Sequence, residues 1–401
     1  MDAALRCLLL CFVACAAHGA DDPLALAVGH AKAHPQGDAP ASFAAADYRG
    51  DLRDLPIGVF DSGVGGLTVL EAIKAHDRHH NLTGADGADG VPDFAGERFV
   101  YFGDQANMPY GNYSAVGRTD FLRELILRDA LFLLGRRQAN GTKPPVKAIV
   151  IACNTATAYG LEDIRAAVKA WGIPVIVIGV VEAGAQGLAE TAEGAQGGVA
   201  VLATVGTCAS NAYPKAIAKV TGRPVRQLGS ATLAAAIEGD PSVKMPIRDI
   251  IRADVGAFLK SAAADKAAPI DTLMLGCTHY PLVADEIAAA FAYWREQTDA
   301  DGRKPYAQLV APQLKQVNPA AWTAEALWRS LHGAKMMAVS KPTSGDQFFL
   351  SIPNPAWKGV GLAADGSLSY EYKYGRAPGQ VGREDTINVP LTTDRLPGAT
   401  A

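Results

Sequence analysis

The feature that most constrains this chain is an alternation. From Pro56 to about Trp294, short apolar runs bounded by glycine or proline take turns with longer amphipathic or alanine-rich segments. The runs are too short for core helices and apolar throughout, so they read as strands buried on both faces, with helices between them. Clear examples are Pro56-Ile-Gly-Val-Phe60, Arg98-Phe-Val-Tyr-Phe-Gly103, Trp171 to Gly179 and Gly197 to Ala203, with a weaker run over Pro224 to Leu228. Repetition of this kind predicts parallel sheets covered by helices, with ligands gathered at the carboxyl ends of the strands.

Two of the runs look like copies of one another. One is Lys147-Ala-Ile-Val-Ile-Ala-Cys153-Asn154-Thr155 and the other is Asp271-Thr-Leu-Met-Leu-Gly-Cys277-Thr278-His279. Each ends in a small residue, a cysteine and polar residues, and a helix-prone segment follows each (Ala156 to Lys169, Val283 to Trp294). A cysteine at a strand-to-helix junction lies near a helix N-terminus, where the dipole and free N–H groups favour a thiolate. Two in matched contexts predict an α/β fold of two pseudo-symmetric lobes, each a mainly parallel sheet flanked by helices, with the active site in the cleft between them. The expected division is a signal peptide over 1–19, a leader or partly ordered arm over 20–54, lobe 1 over 55–179 plus about 283–340, lobe 2 over 180–282, and a C-terminal extension over 341–401. Residues 77–96 read as a polar, His-rich surface loop inserted after the first helix, and 297–318 as irregular. In the extension, Phe348 to Ile352 and Leu368 to Tyr374 read as strands, and the last residues as a loose tail.

Composition narrows the partners. With 49% apolar and 19% charged residues the chain is globular, and a net charge of −4 gives no reason to expect nucleic acid. Arg6 followed by the apolar stretch Cys7 to Ala17, with Ala17-His18-Gly19 before Ala20, is the pattern of an export signal. That predicts a periplasmic protein; a rival reading makes Phe12-Val-Ala14 lead to a lipidated Cys15. The stretch is too short for a transmembrane span and no other is long and apolar enough. Beyond the signal, Cys153, Cys208 and Cys277 are an odd, sparse set, which argues against a disulfide framework. No C-x-x-C spacing occurs, and His18, His30 and His34 are not spaced as ligands, so no metal is expected. Cys208 reads as a buried thiol.

The turn Asp61-Ser-Gly-Val-Gly-Gly66 suits an anion held by backbone N–H groups. It is not the dinucleotide fingerprint, because Thr68 stands where the third glycine is needed. No lysine has a pyridoxal-phosphate context, so no organic cofactor is expected. Asp61, Asp104, Cys153, Thr207 and Cys277 all fall at strand ends, and Ser62, Asn154, Thr155 and Thr278 bring neutral donors to the same places.

Five motifs in order resemble those of glutamate racemase, in the cofactor-independent aspartate/glutamate racemase superfamily. They are Ile57-Gly-Val-Phe-Asp-Ser-Gly-Val-Gly-Gly-Leu-Thr68, Tyr101-Phe-Gly-Asp-Gln-Ala-Asn-Met-Pro-Tyr-Gly111, Ala152-Cys-Asn-Thr-Ala156, Val201-Leu-Ala-Thr-Val-Gly-Thr207 and Gly276-Cys-Thr-His-Tyr-Pro-Leu282. The resemblance covers roughly residues 56–340. It implies that Cys153 acts on the D-enantiomer beside Asp61, and that Cys277 acts on the L-enantiomer beside His279. It also implies that Asp61, Ser62, Pro109, Tyr110, Gly111, Asn154, Thr155, Thr278 and His279 hold the amino-acid substrate, with Asp104 in a supporting place.

The chemistry asks for such a pair. A racemase removes the α-proton on one face and returns a proton on the other, and two thiols do this without turning the substrate over. A thiol pKa of about 8.5 can be lowered by its surroundings, and a positioned acid/base contributes roughly 10² to 10⁴ in rate. The chain departs from the family in its export signal, its 77–96 insertion and its C-terminal extension. Family members are usually cytoplasmic, often dimeric, and feed D-glutamate to cell-wall peptidoglycan. The readings that follow are an exported glutamate racemase, a racemase of aspartate, another amino acid or a hydantoin, or an exported amino-acid-binding protein without turnover.

Overall fold

A computed structural model describes residues 22–191, 195–240, 242–340 and 344–392. The expected signal segment, with Cys15, lies outside the described residues.

The apolar runs form two parallel sheets. Strands β1 (Ile57–Asp61), β2 (Phe99–Gly103), β3 (Ala148–Ile151) and β4 (Ile176–Gly179) belong to the first. Strands β5 (Gly198–Thr204), β6 (Val225–Ser230), β7 (Ile270–Gly276) and β8 (Val310–Val317) make the second. Strands β9 (Gln347–Pro353) and β10 (Thr386–Pro390) return to the first. The first sheet has the order β10-β9-β2-β1-β3-β4 and the second β8-β7-β5-β6. All pairings are parallel except β9 with the edge strand β10. The central strands are buried along their whole length, as sheets covered on both faces require.

Helices cover both sheets. Helix α1 (Pro23–Ala33) lies on α3 (Thr119–Leu134) and α4 (Asn154–Trp171), while α2 (Leu67–Lys74), α5 (Val180–Thr191) and α8 (Pro319–Gly333) pack together across the opposite face. Helices α6 (Ile247–Ala264) and α7 (Ala284–Glu296) cover the second sheet. Among the described residues no helix is long and apolar enough to cross a membrane.

Several expectations from sequence need correction. The supposed arm contains α1, capped by Asp22 and seated through Ala27 and Ala31. Its small residues let helices approach closely but give almost no amphipathic pattern, and its partners lie a hundred residues away. Residues 284–317 belong with the second sheet rather than lobe 1: Phe291 packs edge-on against Phe258, with ring centroids 6.1 Å apart. The stretch read as irregular holds β8, a half-exposed edge strand whose polar residues hide the pattern. The C-terminal residues are not an appendage, since Phe349 and Leu350 of β9 are buried in the first sheet. Leu368 to Tyr374 is not a strand. Ser369 caps a short helix, Tyr370–Gly375, in which Tyr370 and Tyr374 lie one turn apart, centroids 4.7 Å from each other.

The lobes meet through polar bonds. Thr68 Oγ1 donates to the Thr278 carbonyl at 3.1 Å, Tyr213 Oη donates to Asn154 Oδ1 at 2.6 Å, and Thr155 Oγ1 lies 2.9 Å from Thr207 Oγ1.

Candidate active site

Register brings the first half of the site together. Strands β1 and β3 pair Phe60 with Ile151, so Asp61 and Cys153 leave the sheet side by side. Cys153 caps α4, with its Sγ accepting the Ala156 N–H at 3.4 Å and lying 3.7 Å from Ser62 Oγ. The helix N-terminus was expected to favour the thiolate. Burial instead pushes the Cys153 thiol well above its ordinary range, the charge of Asp61 adds to this, and the Ala156 and Ser62 hydrogen bonds oppose it without prevailing.

Asp61 is buried and accepts the Gly66 N–H at 2.7 Å, with Thr278 Oγ1 at 3.5 Å. Burial raises its carboxyl pKa, against the pull of His279 and the Gly66 N–H. The glycine-rich turn therefore serves Asp61 and close packing more than an anion cradle. A Cβ at Gly65 would stand 2.5 Å from His279 Cε1, and one at Gly66 would stand 2.5 Å from Asp61 Cβ. Tyr101 Oη fixes the turn by donating to the Gly63 carbonyl at 2.6 Å.

The second half comes from β7. Cys277 is buried, and its Sγ lies 3.6 Å from Nδ1 of His279. The far side of that ring, Nε2, is 2.7 Å from Glu238 Oε1. Burial alone would lower the His279 pKa, but hydrogen bonds and charge from Cys277 and Glu238 outweigh it and raise the value well above 6.5. Sequence reasoning missed Glu238. Its one available signal was a carboxylate just beyond the short helix Leu233–Ile237, in the loop after β6, where ligand groups gather.

Every residue expected at the site lines a single cleft. Asp61, Ser62, Cys153, Asn154 and Thr155 come from the first sheet, Cys277, Thr278 and His279 from the second, and Pro109, Tyr110 and Gly111 from the loop after β2. Met108, Thr204, Glu238 and Asp240 join them. Among the described lining residues none is lysine or arginine. A carboxylate bound here would meet hydroxyls, backbone N–H groups and the N-terminus of α4.

Behind the loop, Tyr110 Oη lies 2.5 Å from Asp104 Oδ2 and 2.7 Å from Asp129 Oδ2. One phenolic proton serves one of them. Burial, reinforced by Asp104, drives the Asp129 carboxyl pKa well up, so Asp129 carries the second proton. Asp104 also accepts from Ser351 at 2.6 Å and from Asn107 at 2.8 and 2.9 Å, which makes it a structural hub and places it outside the cleft. The C-terminal segment backs the same loop, with Lys373 Nζ donating to the Met108 carbonyl at 2.6 Å and Tyr374 Oη to that of Pro109 at 3.4 Å. Cys208 stands apart from the cleft, half-buried, and burial pushes its pKa up to about 12.

Known proteins share this organisation. Residues 122–297 match the family model described as Asp/Glu/Hydantoin racemase. The chain is 31% identical to a glutamate racemase of Levilactobacillus brevis over 301 residues, covering 74% of this chain and 86% of that one. It is 37% identical to one of Lactobacillus johnsonii over 240 residues, covering 59% and 73%. Its structure is similar to that of the glutamate racemase isoform RacE1 from Bacillus anthracis, with a TM-score of 0.51, 26% identity, and coverage of 74% and 87%.

Proposed function

The chain belongs to the glutamate racemase family, and on that premise we propose that it interconverts L- and D-glutamate by a two-base exchange between Cys153 and Cys277. The observation that carries this reading is the placement of the two cysteines. They leave the carboxyl ends of β3 and β7, in different sheets, and line the same cleft.

The surroundings of the thiols differ in a way that suits opposite protonation. Burial, with the charge of Asp61 added to it, favours the thiol form of Cys153. Protonated His279, 3.6 Å from Cys277 Sγ, balances a thiolate there. From this state Cys277 takes the α-proton of L-glutamate while Cys153 delivers its own proton to the opposite face. The reverse reaction starts from the thiolate of Cys153. Glu238 orients the imidazole, and Asp61, anchored to Gly66, holds the Cys153 side in register. Ser62, Asn154, Thr155 and Thr278 supply the neutral donors for the substrate carboxylates, and Pro109 to Gly111 form one wall.

The test is turnover by the purified chain on a panel of glutamate, aspartate, other amino acids and hydantoins, followed by circular dichroism. Glutamate should be racemised fastest, and Cys153→Ala or Cys277→Ala should abolish the reaction. Full activity in either variant refutes the two-base assignment, and preferential turnover of aspartate or a hydantoin moves the protein to another substrate class.

Export is proposed from the pattern of Arg6, Cys7 to Ala17 and Ala17-His18-Gly19. Mass spectrometry of the mature protein should find Ala20 at its N-terminus; lipid on Cys15 would make it a lipoprotein. A homodimer and a supply of D-glutamate to peptidoglycan are further proposals carried over from the family resemblance, and sedimentation tests the first.

A further inference from the structure

Far from the cysteines in sequence, the His-rich insertion, the residue before it and α8 bring four ligand-type groups to one buried point. Nε2 of His76 and Nε2 of His79 each lie 3.1 Å from the same atom, Oε2 of Glu325 on α8. Asp93 Oδ2 is 3.6 Å from His76 Nε2. The ligand atoms of His76, His79 and Asp93 all fall within 4.8 Å of one another, and all four residues are buried. We propose that His76, His79, Asp93 and Glu325 bind one divalent transition-metal ion, zinc by the chemistry of the donors, which clips residues 77–96 to α8.

Bonds of about 2.0–2.2 Å to a tetrahedral ion set its ligand atoms roughly 3.3–3.6 Å apart. Three separations come close to that, 3.1 Å from Glu325 Oε2 to each Nε2 and 3.6 Å from Asp93 Oδ2 to His76 Nε2, and the His76, His79 and Asp93 ligand atoms stay within 4.8 Å of one another. Two imidazoles and two carboxylates are a donor set for zinc and its neighbours in the first transition row. With every position filled by protein, the site is structural rather than catalytic.

Hydrogen bonding alone leaves the cluster incompletely satisfied. It needs both Nε2 atoms to donate to one oxygen. The buried Nδ1 of His79, which has no hydrogen-bond partner, would then face Asp86 Oδ1 at 3.4 Å without a proton. An ion on Nε2 puts the proton on Nδ1, the ring face that lies 3.4 Å from Asp86 Oδ1, a carboxylate a small rotation away from accepting it. The remaining groups are already oriented. Asp93 accepts the Arg78 and His79 N–H groups at 3.0 and 3.3 Å, and Arg329 takes the other oxygen of Glu325 at 2.6 Å, with Arg78 3.8 Å from Oε2. The His79 ring stacks on Trp328 at 3.4 Å and 4°.

The experiment uses the full chain with Cys153→Ser and Cys277→Ser, so that the cleft thiols do not bind the probe. The protein is stripped with a chelator and titrated with Co(II), then with Zn(II). The expected result is a visible d–d band that saturates at one Co(II) per chain, is displaced by Zn(II), and accompanies a rise in Tm and slower proteolysis within 77–96. His79→Ala and Glu325→Gln should lose the stoichiometric band while keeping native far-UV circular dichroism. X-ray absorption on the zinc-loaded protein should find two imidazoles and light O/N ligands, which decides the matter if those variants do not fold. Absence of the band and of any Zn(II)-dependent Tm shift in the folded chain overturns the proposal. So does an unchanged band in the two variants, or a first shell without imidazole.

Discussion

Glu238 Oε1 sits 2.7 Å from Nε2 of His279, on the side of the ring opposite Cys277. A carboxylate there fixes the imidazole's orientation and favours its charged form. Glu238→Gln keeps the shape and removes the charge. Turnover of L-glutamate should fall by roughly tenfold or more, short of the 10² to 10⁴ expected for losing an acid/base itself, with KM little changed. Because the raised His279 value depends partly on Glu238, the alkaline limb of the rate profile should move to lower pH. Rate–pH profiles of the two proteins, in both directions of reaction, check this.

Gly65 is where His279 leaves no room. Its missing Cβ would stand 2.5 Å from His279 Cε1 and 2.7 Å from Thr278 Oγ1. Gly65→Ala should displace the imidazole and lower kcat by about 10²-fold, within the range for misplacing a catalytic group, with a drop in Tm as well, since overpacking a buried site costs about 1–3 kcal/mol. Wild-type kcat in the alanine variant would mean that the ring position is not critical.

The paired acids behind Tyr110 should respond differently to the same change. Asp129→Asn puts an N–H where the acid proton stands, so activity should persist. Asp104→Asn turns an NH2 toward Asn107 and toward either Tyr110 or Ser351, and should cost a few kcal/mol, since each unmatched buried polar group costs about 1–3 kcal/mol. Asp129 has a raised folded pKa, so its contribution to stability is complete below the unfolded value and is lost as pH rises through the folded one. Asparagine does not titrate. The difference in Tm between Asp129→Asn and the unsubstituted protein should therefore shift in favour of the variant as pH rises, which thermal melts across pH will measure.

The architecture of the cleft was legible because its carriers are local. A buried strand ending in a small residue and a cysteine announces both the element and the position of the thiol, and this held for Cys153 and Cys277 alike. Asp61, Ser62 and His279 came with the same short motifs. What stayed hidden depends on contacts far apart in sequence. Glu238 reaches His279 across 41 positions, and Lys373 reaches Met108 across 265. The direction of the Cys153 shift was also hidden, because burial and Asp61 outweigh the helix terminus. His79 fell in the stretch read as a surface loop for the same reason: Glu325 is 246 positions away.

Lys373 tests the role of the C-terminal segment. Its ammonium, half-buried beneath the loop, donates to the Met108 carbonyl at 2.6 Å, next to the wall formed by Pro109 to Gly111. Lys373→Ala should loosen that wall and raise KM for glutamate about tenfold, equivalent to about 1.4 kcal/mol, with a smaller change in kcat. Unchanged KM would assign the segment to stability alone.

The central claim is that two thiols work from opposite faces, and isotope placement tests it most directly. L- or D-glutamate is incubated with the enzyme in D₂O, and the reaction is stopped early for separation of the enantiomers and mass spectrometry of each. The abstracted proton stays on one sulfur while the other sulfur delivers solvent-derived deuterium. The product enantiomer should therefore carry deuterium at Cα from the first turnovers, while the remaining substrate stays unlabelled. Equal labelling of product and recovered substrate, from both starting enantiomers, would contradict the account and point to a single base serving both faces.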